Sequence, residues 1–117
     1  MFRISTFAAA ALIVAVPGVA LAHHGWSSYD EAKPITVTGK FTSVAWASPH
    51  GSARMVWRKK HWDIILAPVS RMEARGLTAD EINKNQRITI TGYARRDGTA
   101  EMRLERVKVG DKTVELR

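Results

Sequence analysis

Ile35 to Trp46 reads ITVTGKFTSVAW, a run rich in β-branched and aromatic residues that alternates along most of its length. Ile35, Val37 and Phe41 share one parity, whereas Val44 and Trp46 have the other. Successive side chains on a strand point to opposite faces, so apolar residues of both parities cannot all reach one core from a regular strand. One strand carrying a bulge near Thr42-Ser43 accounts for the switch, and strands bent in this way belong to sheets that turn a corner.

Working outward from that stretch, ASPHG (47–51) is turn chemistry. It separates the first strand from SARMVWR (52–58) and HWDIILA (61–67), which form an antiparallel pair around Arg58-Lys59-Lys60. PVSRMEARGLTADEINKN (68–85) is the helical stretch. Pro68 suits a first-turn position, Gly76 a C-terminal stop, and Thr78 to Glu81 has capping-box spacing, so two short helical turns fit better than one helix. QRITITGYARRDG (86–98) alternates cleanly, with Ile88 and Ile90 on one face and Thr89 and Thr91 on the other, before a turn at Asp97-Gly98. AEMRLERVKVG (100–110) changes apolar parity between Leu104 and Val107, and KTVELR (112–117) adds a short terminal strand after Gly110-Asp111. Together these segments predict a mainly β fold, a small OB-like β-barrel of five to six strands with a short helix between strands 3 and 4. A rolled α+β sheet with its helix on one face has the same order of elements and is the competing architecture.

The N-terminus reads as an export signal. Arg3 supplies a positive start, FAAAALIVAVPGVALA an apolar stretch, and Ala20 and Ala22 the small residues before a cleavage site. The apolar run is short for a bilayer span and is broken at Pro17-Gly18. The expected organisation is a signal peptide over 1–22, an N-terminal arm over 23–34 and a single barrel domain over 35–117, with a periplasmic location and no membrane span once the signal is removed. The chain has no cysteine, which removes thiolate ligands and nucleophiles and leaves nitrogen or oxygen to hold any metal. Lys and Arg number 18 against 11 Asp and Glu, a net charge of +7 that favours anionic partners. In the periplasm nucleic acid is the least available of these. No GxSxG elbow, SxxK pair, phosphate loop, dinucleotide fingerprint or HExxH occurs, which sets aside conventional hydrolase and nucleotide chemistry.

His23 and His24 are the most informative pair. Cleavage after Ala22 makes His23 the first residue, so its α-amine and imidazole can chelate one metal ion together. A further histidine completes a three-nitrogen brace, and all-nitrogen tetragonal ligation suits Cu(II). Cleavage after Ala20 places the histidine third instead, which also suits Cu(II) or Ni(II) but makes no brace. His50, on the SPHG turn, is the first candidate for the remote ligand, with a turn histidine bonded to its own loop as the plain alternative. His61, beside Lys59 and Lys60, is weaker. Among the four tryptophans, Trp46, Trp57 and Trp62 are most simply core or barrel-rim residues, whereas Trp26 either anchors the arm or covers a metal site. Trp26, Trp46, Trp57, Arg58 and Lys60 are the candidates for contact with a partner.

His23-His24-Gly25-Trp26, Tyr29-Asp30, Thr38-Gly39-Lys40-Phe41, Val44 through His50, Trp62, Pro68 through Gly76, and Ile88 through Gly92 together resemble a family of small exported bacterial proteins of unknown function. Its members open the mature chain with a His-His pair and carry a W-x-[NS]-P-H motif. Ser48 stands where that pattern has Asn, and Asn85-Gln86 stand in place of Gly-Asp. The resemblance implies an OB-like barrel and draws attention to His23, His24, Trp46 and His50; it implies no activity.

These readings point to a small periplasmic binding protein that holds copper or a similar divalent metal through His23, His24 and His50. The rival is a metal-free envelope module that binds an anionic component, an extended segment or a protein on the barrel face. Copper-dependent oxidation at a brace is a third reading, for which so short a chain offers little substrate-binding surface.

Overall fold

The computed structural model describes residues 25–117, so the signal segment, His23 and His24 lie outside the described residues. The run that opens the domain forms two strands, β1 (Ile35–Gly39) and β2 (Ser43–Ala45), joined through Lys40–Thr42. Val37 and Phe41 enter the core with the same parity, and the chain then turns so that Val44 packs from the other. The switch lies at the expected place, but it ends one strand and starts another instead of bulging a continuous one. The Thr42 amide bonds to the Arg54 carbonyl at 2.7 Å, which redirects the chain onto its next partner.

Each half of this bent run pairs with a different strand. β1 lies antiparallel to β5 (Ile88–Ala94), and β2 antiparallel to β3 (Ser52–Trp57). Between them the order continues through β4 (Lys60–Ile65) and β6 (Glu101–Val109), giving β1-β5-β6-β4-β3-β2 with β7 (Lys112–Glu115) also on β6. The two ends of the curled sheet are consecutive pieces of one stretch of chain, and the sheet is a half-barrel compatible with the small OB-like barrel expected. Seven strands occur among the described residues where five or six were expected, because the first divides at its bend.

The β4–β6 pair is parallel, from Asp63↔Glu101 to Ile65↔Arg103. A parallel pair needs a crossover, and α1 (Val69–Ala74) supplies part of it. Pro68 caps the start of α1, Gly76 ends that turn at φ +90°, and Glu81 accepts hydrogen bonds from both the amide and the hydroxyl of Thr78 ahead of a short 3-10 turn, Asp80–Ile82. Met72, Leu77 and Ile82 are fully buried, so this segment closes one end of the core.

β5 buries Ile88 and Ile90 and turns Thr89 and Thr91 outward, where their hydroxyls bond to Thr38 and Thr36 across the ladder. The pairing of β5 with β6 skips Glu105: Thr91 faces Arg106 and Gly92 faces Leu104. That bulge is the source of the parity change between Leu104 and Val107. A β-carbon on Gly92 would stand 2.4 Å from the Arg103 carbonyl oxygen, so the two strands approach this closely only because residue 92 is glycine. No described helix is long and apolar enough to cross a membrane.

Candidate functional site

On β6, Met102 and Leu104 point into the core while Glu101 and Arg103 face outward. On the neighbouring strands Tyr93 and Ile65 share that outer face, opposite Arg103 in register. Two aromatic and aliphatic side chains on an outer face call for cover, and the arm provides it. Trp26–Ser28 make one 3-10 turn, and Tyr29 then bridges to Arg95. The Asp30 amide bonds to the Ala94 carbonyl at 2.8 Å, and the Arg96 amide to the Ser28 carbonyl at 2.9 Å. Trp26 sits edge-on to Tyr93 with centroids 5.9 Å apart, and the guanidiniums of Arg103 and Arg117 lie over its indole at 4.4 and 4.2 Å. Of the two roles expected for Trp26, anchoring the arm is the one these contacts describe.

Arm, barrel face and loops enclose a cleft of about 320 Å³. Gly25 and Tyr29 come from the arm, His50 from the β2–β3 loop, Ile65, Leu66 and Pro68 from the β4–α1 passage, and Arg95, Glu101 and Arg103 from β5–β6. Tyr29 is buried and donates its hydroxyl to Glu101 Oε2 at 2.5 Å. Burial, reinforced by that carboxylate, pushes the phenol up to about 12. Arg95 grips Asp97 through Nε and Nη2 at 3.1 to 3.3 Å and reaches Glu101 with Nη1 at 3.5 Å. The Asp97 carboxyl is held down to about 2, first by the Thr99 amide and then by Arg95.

Arg103 differs from Arg95. Among the described residues no carboxylate lies within salt-bridge distance of its guanidinium, and its neighbours Arg117 and Arg71 are cations. Burial, chiefly, and those two charges lower its affinity for its proton. His50 is half-buried, with Nδ1 3.3 Å from the Gly51 carbonyl oxygen. Gly51 itself is buried against Met72 and Leu66, which fixes the loop that carries His50 to the end of the barrel.

The other residues singled out from sequence lie elsewhere. Trp46 does not line the cleft; its indole nitrogen donates to Glu73 Oε2 on α1 at 3.4 Å. Trp57, Arg58 and Lys60 come together at the β3–β4 hairpin, where Arg58 stacks on Trp57 at 4.5 Å and Lys60 lies 5.8 Å from the Trp62 ring. Arg58 and Lys59, the two residues of that turn, both hold positive φ, 52° and 65°. His61 is exposed on β4. Sequence reasoning missed Tyr29, Glu101 and Arg103 as cleft residues. Alternation around Met102 and Leu104 already put Glu101 and Arg103 outward, but nothing local said that the arm would roof that face.

Among the described residues no three His, Asp or Glu side chains gather as a metal site, so a site built from His50 needs ligands from outside them. None of the curated proteins compared with the chain matches it. A family model does, over residues 10–105, and on that match the chain belongs to DUF6152, a family of unknown function.

Proposed function

We propose that the protein binds a divalent metal ion, copper before others, at the mouth of this cleft, with His23, His24 and His50 as ligands, and that it does so in the periplasm after removal of residues 1–22. The observation that carries the reading is that Gly25 and His50 line one cleft. His24 is bonded to Gly25, and covalent geometry keeps the Cα of His23 within about 7 Å of the Gly25 Cα. Side chains that start so near can bring imidazole nitrogens to a shared ion, for which metal–nitrogen distances are about 2.0 Å. The donor set is nitrogen only, since Glu101 is already engaged by Tyr29 and Arg95, and such a set favours Cu(II). The role that follows is transport or buffering of the metal.

Calorimetric titration of Cu(II) into protein beginning at His23 tests this. The expected result is one tight site, weakened at least tenfold, about 1.4 kcal/mol, by His50→Ala and abolished by His23→Ala with His24→Ala. Equal affinity in wild type and the double variant overturns the proposal. Unchanged affinity in His50→Ala would reduce it to a site on the N-terminus alone.

A second reading rests on the β3–β4 hairpin. Left-handed backbone at Arg58 and Lys59 is unfavourable for side chains that cannot bond locally as Asn and Asp do, and Val56 beside them is 49% exposed. A metal-free module would meet an anionic envelope component here through Trp57, Arg58 and Lys60. Salt-sensitive binding that survives metal removal and loss of His23 favours it.

A further inference from the structure

We infer that the cleft binds a small organic acid, with its carboxylate on the Arg103 guanidinium and its short apolar part against Ile65 and Pro68. This goes beyond metal binding and rests on the cleft alone. Its starting point is an imbalance of charge. Five arginines surround the arm and the cleft, and four of them have acceptors, Arg96 among them through the Tyr29 carbonyl at 3.1 Å. Arg95 pairs with Asp97 and Glu101, Arg71 donates to the Leu116 carbonyl at 3.0 Å, and Arg117 meets Glu31 at 2.6 Å and Glu105 at 3.6 Å. Arg103, half-buried on the cleft wall, has neither a carboxylate nor a hydrogen-bond acceptor among the described residues. Withdrawing a cation from water without a counter-charge is costly, and Arg71 and Arg117 nearby raise that cost. An anion in the cleft offsets that cost by supplying the missing counter-charge to Arg103 and its cationic neighbours.

The guanidinium is also prepared for such a ligand. Its stem is fixed in β6 between Tyr93 and Ile65, and its Cζ lies over the Trp26 indole, 4.4 Å from the ring centroid. Stacking holds the planar fork while leaving its N–H edge available, and that edge matches the two oxygens of a carboxylate. The remaining wall decides the class. Ile65 and Pro68 offer apolar surface that inorganic phosphate cannot use, and a space of about 320 Å³ admits a few carbon atoms beyond the carboxylate. Glu101, already bonded to Tyr29 and Arg95, repels a second carboxylate and favours a monoacid.

The test uses the whole mature protein stripped of metal on a chelating resin, since a soluble polycarboxylate chelator would compete for the site. Amide chemical shifts are followed while pentanoate, acetate, succinate and inorganic phosphate are added. Pentanoate is expected to bind saturably and tighter than acetate, succinate or phosphate, with shifts at Tyr93, Arg103 and Ile65. Arg103→Gln should weaken it at least tenfold and Lys84→Gln, an exposed cation outside the cleft lining, should leave it unchanged. If Arg103→Gln does not fold, Arg103→Lys keeps the stem and the charge but loses the fork, and the same weakening is expected. Failure of pentanoate to saturate by roughly 10 mM overturns the site. Phosphate binding as tightly as pentanoate overturns the ligand class, and equal binding by wild type and the Arg103 variants overturns the residue. None of these outcomes depends on copper, whose failure to bind is read separately.

Discussion

Tyr29→Phe removes one oxygen atom from beneath the arm, and its effect should reverse with pH. At neutral pH the wild type has a buried phenol, 6% exposed, donating to a carboxylate at 2.5 Å. Hydrogen bonds to charged groups contribute about 1.5 to 3 kcal/mol, and because Glu101 keeps Arg95 when the phenol is lost, the variant should sit at the lower end, about 1.5 kcal/mol less stable. Above pH 10 the balance shifts. The unfolded tyrosine ionises near 10.0, whereas the folded one holds its proton to about 12, so the unfolded state releases its proton first and is favoured as pH rises between those values. Two pH units at about 1.4 kcal/mol each come to about 2.7 kcal/mol lost by wild type and not by the variant. The two stabilities should therefore converge and cross before pH 12. Urea unfolding of both proteins at intervals from pH 8 to 12 measures this, with tryptophan fluorescence as the probe. Taking the difference between the proteins cancels the other groups that titrate there, Tyr93 included. Parallel stability curves across that range would refute the account of Tyr29 as a buried donor to Glu101.

Three further outcomes follow from geometry already described. Gly92→Ala must push the Arg103 carbonyl away from a contact of 2.4 Å, and should cost about 2 to 3 kcal/mol, read as a lower urea midpoint; an unchanged midpoint would mean the bulge moves freely. Lys59→Asn places a residue tolerant of left-handed backbone at φ 65°, and should raise stability by about 0.5 to 1 kcal/mol while weakening any salt-sensitive binding at that hairpin. Asp97→Asn should flatten the acid limb of the stability curve. The native carboxyl, held down to about 2, contributes stability above its ordinary value of 3.8 that is lost as pH falls towards 2, so carbon-detected NMR titration of Asp97 with a midpoint near 4 would contradict the hydrogen bonds drawn to it.

Much of the fold was legible because it is written in local patterns. The parity switches at Thr42-Ser43 and between Leu104 and Val107 mark the two places where the sheet bends, and Pro68, Gly76 and the Thr78–Glu81 pair mark the helical segment. The splitting of the first strand was not legible, since it depends on Phe41 finding the core and Thr42 finding Arg54. The cleft was legible only in part. His50 stood out as a turn histidine, but its neighbours Tyr29, Glu101 and Arg103 meet through contacts as distant as Tyr29 to Glu101, 72 residues apart, which no local periodicity encodes. Trp26 stood out by type, and the contacts that hold it to the barrel come from Tyr93, Arg103 and Arg117 at the far end of the sequence. The partner candidates divided for the same reason: Trp57, Arg58 and Lys60 are neighbours in sequence and stayed together, whereas Trp46 turned to Glu73.

The order in which β6 finds its partners has a consequence for how the molecule is made. β5 takes one edge of it, while β4 and β7 divide the other. This strand spans Glu101–Val109, so almost everything that must pair with it is synthesised earlier and has to wait. Until it emerges, β3 and β4 can form a hairpin with β2, but β1 and β5 are a separate ladder, linked to the first by the chain, as at Lys40–Thr42, and by no strand pairing. Non-local pairing of this kind makes closure a late and slow event, on the order of milliseconds to seconds. A growing chain is thus held open through most of its length, and its passage from thread to barrel is timed by a single strand near its end.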